Sequence, residues 1–192
     1  VSFQGKAALG RLGGVNATIS PFVPKPHTAF QWEGMATFEH FQAVRDHIRA
    51  RSRGLPIRFK VNSPDRNYVE AVMSRGDRRI GKALVEAWKR GSKFEAWDEH
   101  FSLPRWQESF AAAGIDADWY ARRTIKPDEI LPWEHLDAGL PKWVLLKDDQ
   151  RAHEFDAQSK MVAPAAAPAA ASPAPPPVTP AAVPAATQEA VA

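Results

Sequence analysis

Three side chains with chemistry to offer follow one another closely: Lys25 is a point cation, His27 an imidazole that can donate or accept a hydrogen bond, and Thr28 a hydroxyl. Standing at the exit of a strand, they are candidates for lining a substrate or cofactor cleft. A second set is Arg75, Arg78 and Arg79, gathered around Gly76 and Asp77. Guanidiniums at a helix start oppose its dipole, so they need a partner: Asp77 or Glu70, a neighbouring domain, or an anion such as phosphate or RNA. Asp98, Glu99 and His100 could in principle hold a metal or act as an acid–base pair. Adjacent residues point different ways, however, and the simpler reading is a hydrogen-bonded corner. His40 and His47 are seven residues apart, too far for the i, i+4 metal pair. No residue is assigned a catalytic or metal-ligating role.

The elements that must position these groups read as follows. Alternation over Val15 to Ser20 predicts a strand, and Pro21, Pro24 and Pro26 turn it into a stiff exit arm with Phe22, Phe30 and Trp32 as anchors. Gly13 and Gly14 make the turn into that strand, and no phosphate-binding glycine motif precedes it. Thr37 caps a helix to about Arg53 with Phe38, Phe41, Val44 and Ile48 inward. A short strand, 57–61, is followed by a helix from Ser63-Pro64-Asp65 to about Arg75 with Tyr68, Val69, Val72 and Met73 inward. The next helix places Ile80, Leu84, Val85 and Trp88 at a period near 3.6. Further helices are expected over 102–114, 116–124 and about 143–155, with a turn-rich link through Lys126 to Trp133, whose Ile130, Leu131 and Trp133 plug a groove.

Three segments resemble one family. ISPFVPKPHTAFQW (19–32) resembles the end of the catalytic domain in radical S-adenosylmethionine (radical SAM) proteins of the cobalamin-binding kind, with Ala29 where the family usually has proline. Met73-Ser-Arg-Gly-Asp-Arg-Arg79, and Phe94 to Phe101 with Ile130-Leu-Pro-Trp133, are similar to the C-terminal region of the same subfamily. The resemblance covers roughly residues 10 to 150. It implies an α/β fragment: the last strand or strands of a partial (β/α) barrel with their arm (1–34), a mainly helical region (35–160) with one strand near 57–61, and a disordered Ala/Pro tail (161–192). It also implies that the intact protein uses a [4Fe–4S] cluster and S-adenosylmethionine, and in some members cobalamin, for radical chemistry on an unspecified substrate. The partners so implied are the radical SAM and cobalamin-binding domains of the same chain. The chain opens with Val1 and has no cysteine, so it is expected to be a fragment that binds none of these cofactors alone.

Composition sets bounds on these readings. The absence of cysteine excludes disulfides and thiol catalysis and fits a cytoplasmic setting. No apolar run approaches a membrane span, so no membrane partner is expected. Eight of the 17 prolines fall after residue 160, where Glu189 is the only charge. The rest carries 25 basic and 21 acidic residues, a mild excess compared with a dedicated nucleic-acid domain. The alternative is nonetheless a non-enzymatic RNA-binding or protein-interaction module built on the arginine turn and exposed aromatics. Strand 15–20 is expected to expose both edges without barrel neighbours, making solo folding marginal.

Overall fold

A computed structural model describes residues 6, 7, 10 and 13–162, with side chains up to residue 157. Of the expected disordered tail (161–192), Met161 and Val162 are instead helical and the remainder lies outside the described residues, as do most of the first twelve. Two strands, β1 (Val15–Ile19) and β2 (Ile57–Val61), pair in parallel from Val15 opposite Ile57 to Ile19 opposite Val61. The proline arm and helix α1 (Phe38–Arg51) connect them, as a parallel pair requires a long crossover. One edge of β1 is therefore covered, which corrects the expectation of two open edges. The proline exit and the strand remain as read from the sequence. Neither strand buries a single residue, although parallel sheets ordinarily have both faces covered.

Thr37 caps α1, its hydroxyl accepting from the His40 N–H at 3.2 Å. The stripe expected to face inward on this helix does so in part: Phe38 and Phe41 are partly buried against the core, with Phe38 5.4 Å from the Tyr68 ring, whereas Val44 is exposed and no residue of α1 is fully buried. Helices α2 (Pro64–Arg75) and α3 (Ile80–Lys89) follow, with Pro64 in the first turn of α2 where its missing N–H costs nothing. Tyr68, Val69 and Val72 are buried as expected, and Met73 is partly buried.

In α3 the buried face is Ile80, Ala83 and Ala87, whereas Leu84, Val85 and Trp88 are at least half exposed. The helix presents its alanines, which permit close backbone approach, as it packs on α4 (Leu103–Ala112). The larger residues are left on the outer face. A short α5 (Ala117–Arg122) starts from the Asp116 cap, and α6 (Lys142–Val162) closes the described chain. The core has two apolar groups. The larger joins α2 to α5, and the smaller collects Trp32, Ile125, Leu131, Trp133 and Leu145. Among the described residues, no helix is long and apolar enough to cross a membrane.

Candidate functional site

The end of α5 is where the chain converges. Arg75, at the last turn of α2, is 2% exposed and spends its guanidinium on the carbonyls that α5 leaves unpaired. One of its terminal nitrogens donates to the Tyr120 and Ala121 oxygens at 2.6 and 2.7 Å, the other to Arg123 O at 2.6 Å. The arm approaches the same place from the other side. Met35 N–H donates to Ala121 O at 2.9 Å, and Ile125 N–H to Trp32 O at 2.7 Å. Gly34 is required there, because a Cβ would overlap the backbone carbonyl of Arg122.

Trp32 is almost wholly buried, so the arm is anchored at its far end. Phe22 and Phe30, expected to share that task, instead pack edge-to-face on each other at 5.6 Å and are 51% and 40% exposed. The arm is held at its near end by Val23 and Pro24, which are buried, Val23 within the larger apolar group.

Gln31, 3% exposed, joins the arm to the link that follows α5. Its Oε1 accepts from the His27 N–H at 3.1 Å and from the Trp133 indole N–H at 2.7 Å. Both partners are donors, so the shared atom must be the amide oxygen and the NH₂ must be the other terminus. Among the described residues that NH₂ has no hydrogen-bond partner. Gln31 lines a cavity of about 280 Å³ with His27, Trp133, His135, Asp137 and Lys142 around it, and Leu131 and Leu145 at its apolar wall.

His27 has φ +56°, a left-handed conformation costing a non-glycine residue of order 1–3 kcal/mol. That turn is what allows its backbone N–H to meet Gln31. The Lys142 ammonium and the Leu131 N–H hold the Glu134 carboxyl below its usual range. The cavity therefore offers an amide donor and two imidazoles against a wall of leucine and tryptophan. Such a lining suits a small ligand carrying acceptor oxygens beside an apolar part.

Of the three arm residues singled out from sequence, only His27 lines this cavity. Lys25 pairs with Glu70 of α2, and Thr28 closes the turn, its hydroxyl donating to Lys25 O at 2.8 Å. A second, more apolar hollow of about 360 Å³ lies at the exit of β1 between Phe22, Phe38, Phe41 and Val44. Arg79 pairs with Asp77 at 2.7 Å and sits over the Tyr120 ring, while Arg78 is exposed and makes no ion pair among the described residues. The Arg79 guanidinium, helped by the Tyr120 hydroxyl, holds the Asp77 carboxyl below its usual range. Desolvation and the Asp77 charge push the Tyr120 phenol up to about 12.

At the corner expected at 98–100, Asp98 pairs with Arg66 at 2.8 Å on the surface, His100 O accepts from the Arg105 guanidinium at 3.2 Å, and Phe94 and Trp97 around it are exposed. Gln31 is not among the candidates that sequence reasoning supplies. A glutamine between two aromatics at the end of a proline arm is the available signal, since a polar residue there must find partners once its neighbours are buried.

The cluster that the resemblance implies needs thiolates, and this chain has none, so its ligands cannot come from these 192 residues. No protein-family model, curated protein or solved structure matches the chain.

Proposed function

We propose that the chain is the C-terminal part of a radical SAM protein of the cobalamin-binding kind, and that the Gln31 cavity receives part of the substrate or cofactor. The observation that carries this reading is the Gln31 junction. Two of the three segments on which the family resemblance rests, separated by 102 residues, meet on one buried amide. The remaining one, at 73–79, holds the α5 end against which the arm is laid. Parallel pairing of β1 with β2, and the uncovered faces of that pair, agree with a unit meant to continue a larger parallel sheet. In such sheets ligands gather beyond the carboxyl ends of the strands, which is where the arm departs from β1. In this role the fragment walls and covers a site whose cluster ligands lie in another part of the protein.

The test is the intact protein, reconstituted with iron and sulfide, reduced, and supplied with S-adenosylmethionine. Formation of methionine and 5′-deoxyadenosine is expected. A protein that carries no cluster and cleaves no S-adenosylmethionine would refute the proposal.

The second reading, an RNA- or protein-binding module, draws on unpaired Arg78 and on exposed Trp88, Phe94 and Trp97. RNA binding whose affinity falls steeply between low and moderate salt would favour it.

A further inference from the structure

The end of the arm and the last helix bring together a second polar group, apart from the Gln31 cavity. Asp149 and His153 stand four residues apart on α6 and so share one face of that helix, while Glu33 reaches them from the arm. His153 Nε2 lies 2.8 Å from Glu33 Oε1 and 3.7 Å from Asp149 Oδ1, and the ligating atoms of all three lie within 4.8 Å of one another.

An internal hydrogen bond alone does not account for this arrangement. Asp149 is 8% exposed, and its Oδ1, facing His153, is shut off from solvent with no hydrogen-bond donor. A buried carboxylate oxygen without a donor is costly, and a second carboxylate, Glu33, stands beside it. A cation between the three groups supplies what Oδ1 lacks and offsets both negative charges.

We propose that Glu33, Asp149 and His153 form a binding site for a divalent transition-metal ion, with zinc the best match. Zinc takes imidazole nitrogen and carboxylate oxygen at about 2.0–2.2 Å, which places tetrahedral ligands about 3.3–3.6 Å apart. The 2.8 and 3.7 Å separations bracket that spacing. Three protein ligands leave a fourth position for water. The imidazole favours zinc over magnesium, which prefers oxygen ligands in octahedral geometry. A bound ion would fasten α6 to the arm across 120 residues of sequence.

The experiment is titration of the full 192-residue chain, stripped with chelator, with zinc chloride by calorimetry. Cobalt(II) serves as an optical probe of the same site. One zinc per chain is expected, with magnesium failing to compete and cobalt giving visible d–d absorption. Asp149→Asn and His153→Gln should each weaken zinc by at least about tenfold and erase the cobalt bands, and His47→Gln should change neither. The far-ultraviolet circular dichroism of each variant is compared with that of the parent. Because the cobalt spectrum of the parent is read directly, the proposal does not depend on the variants folding. Absence of saturable zinc binding by the parent, or zinc affinity unchanged in both ligand variants, would overturn it.

Discussion

Replacing Arg75 by methionine isolates the contact that closes the α5 end, because methionine keeps length and apolar bulk while removing every donor. Three charge-assisted hydrogen bonds are lost, each worth roughly 1.5–3 kcal/mol, or roughly 4.5–9 kcal/mol in all. Against this stands the cost of burying the guanidinium. Burial, with the nearby Arg123 charge, lowers its pKa to about 10, a cost of about 3 kcal/mol. The difference predicts that Arg75→Met loses about 1.5–6 kcal/mol, measured by urea unfolding of the full chain with circular dichroism. Arg75→Lys should recover only part of this, because a single ammonium cannot reproduce a fork spanning the Tyr120 and Arg123 carbonyls. A loss below about 1 kcal/mol for Arg75→Met would mean that water satisfies those carbonyls equally well, and would refute the reasoning.

Gln31→Leu should cost about 2–4 kcal/mol by the same assay, since it strands the His27 N–H and the Trp133 indole N–H, whereas Gln31→Glu keeps an acceptor for both and should retain most of the stability. Gly34→Ala should destabilise by about 1–3 kcal/mol or more, because the clash is with backbone and no side chain can move to relieve it; a thermal midpoint equal to the parent's would contradict the close approach. Asp149 has a raised folded-state pKa, so its ionised form costs stability that is absent below its unfolded pKa of about 3.9 and grows as pH rises through the folded value. With metal removed, Asp149→Asn should therefore be more stable than the parent at pH 7 and equal to it at pH 3. Asp77 has the opposite sign: its lowered pKa gives stability present above about 3.9 and lost as pH falls through the folded value. The deficit of Asp77→Asn at pH 7 should shrink in acid, as thermal melts across that range would read.

How far these features are legible in the sequence depends on whether they are local. The proline exit after β1, the Thr37, Ser102 and Asp116 caps, and the Pro64 start of α2 are set within a few residues of chain, and each stands where its chemistry put it. Ser63 is the exception in detail, occupying the cap position of α2 without a side-chain cap hydrogen bond. Periodicity locates α3 but not its buried face. Leu84, Val85 and Trp88 recur as regularly as Ile80, Ala83 and Ala87, and the choice depends on how closely α4 approaches.

The site is harder to read because it is made at long range. Lys25, His27 and Thr28 are neighbours in sequence, yet the turn at His27 sends them to different partners. Arg75, Arg78 and Arg79 likewise separate into a buried carbonyl clamp, an exposed cation and an aspartate partner. The Gln31 junction depends on a residue 102 positions away, which no local pattern announces. The Asp149-x-x-x-His153 spacing is visible in the chain, but its third member, Glu33, becomes a neighbour only when α6 folds back on the arm.

The most direct test of the radical SAM assignment is to read the coding DNA immediately upstream of the Val1 codon. A continuous in-frame sequence containing a CxxxCxxC stretch, the thiolates this chain lacks, is the predicted result. An upstream frame without any such cysteine cluster would contradict the assignment and leave the binding-module reading in its place.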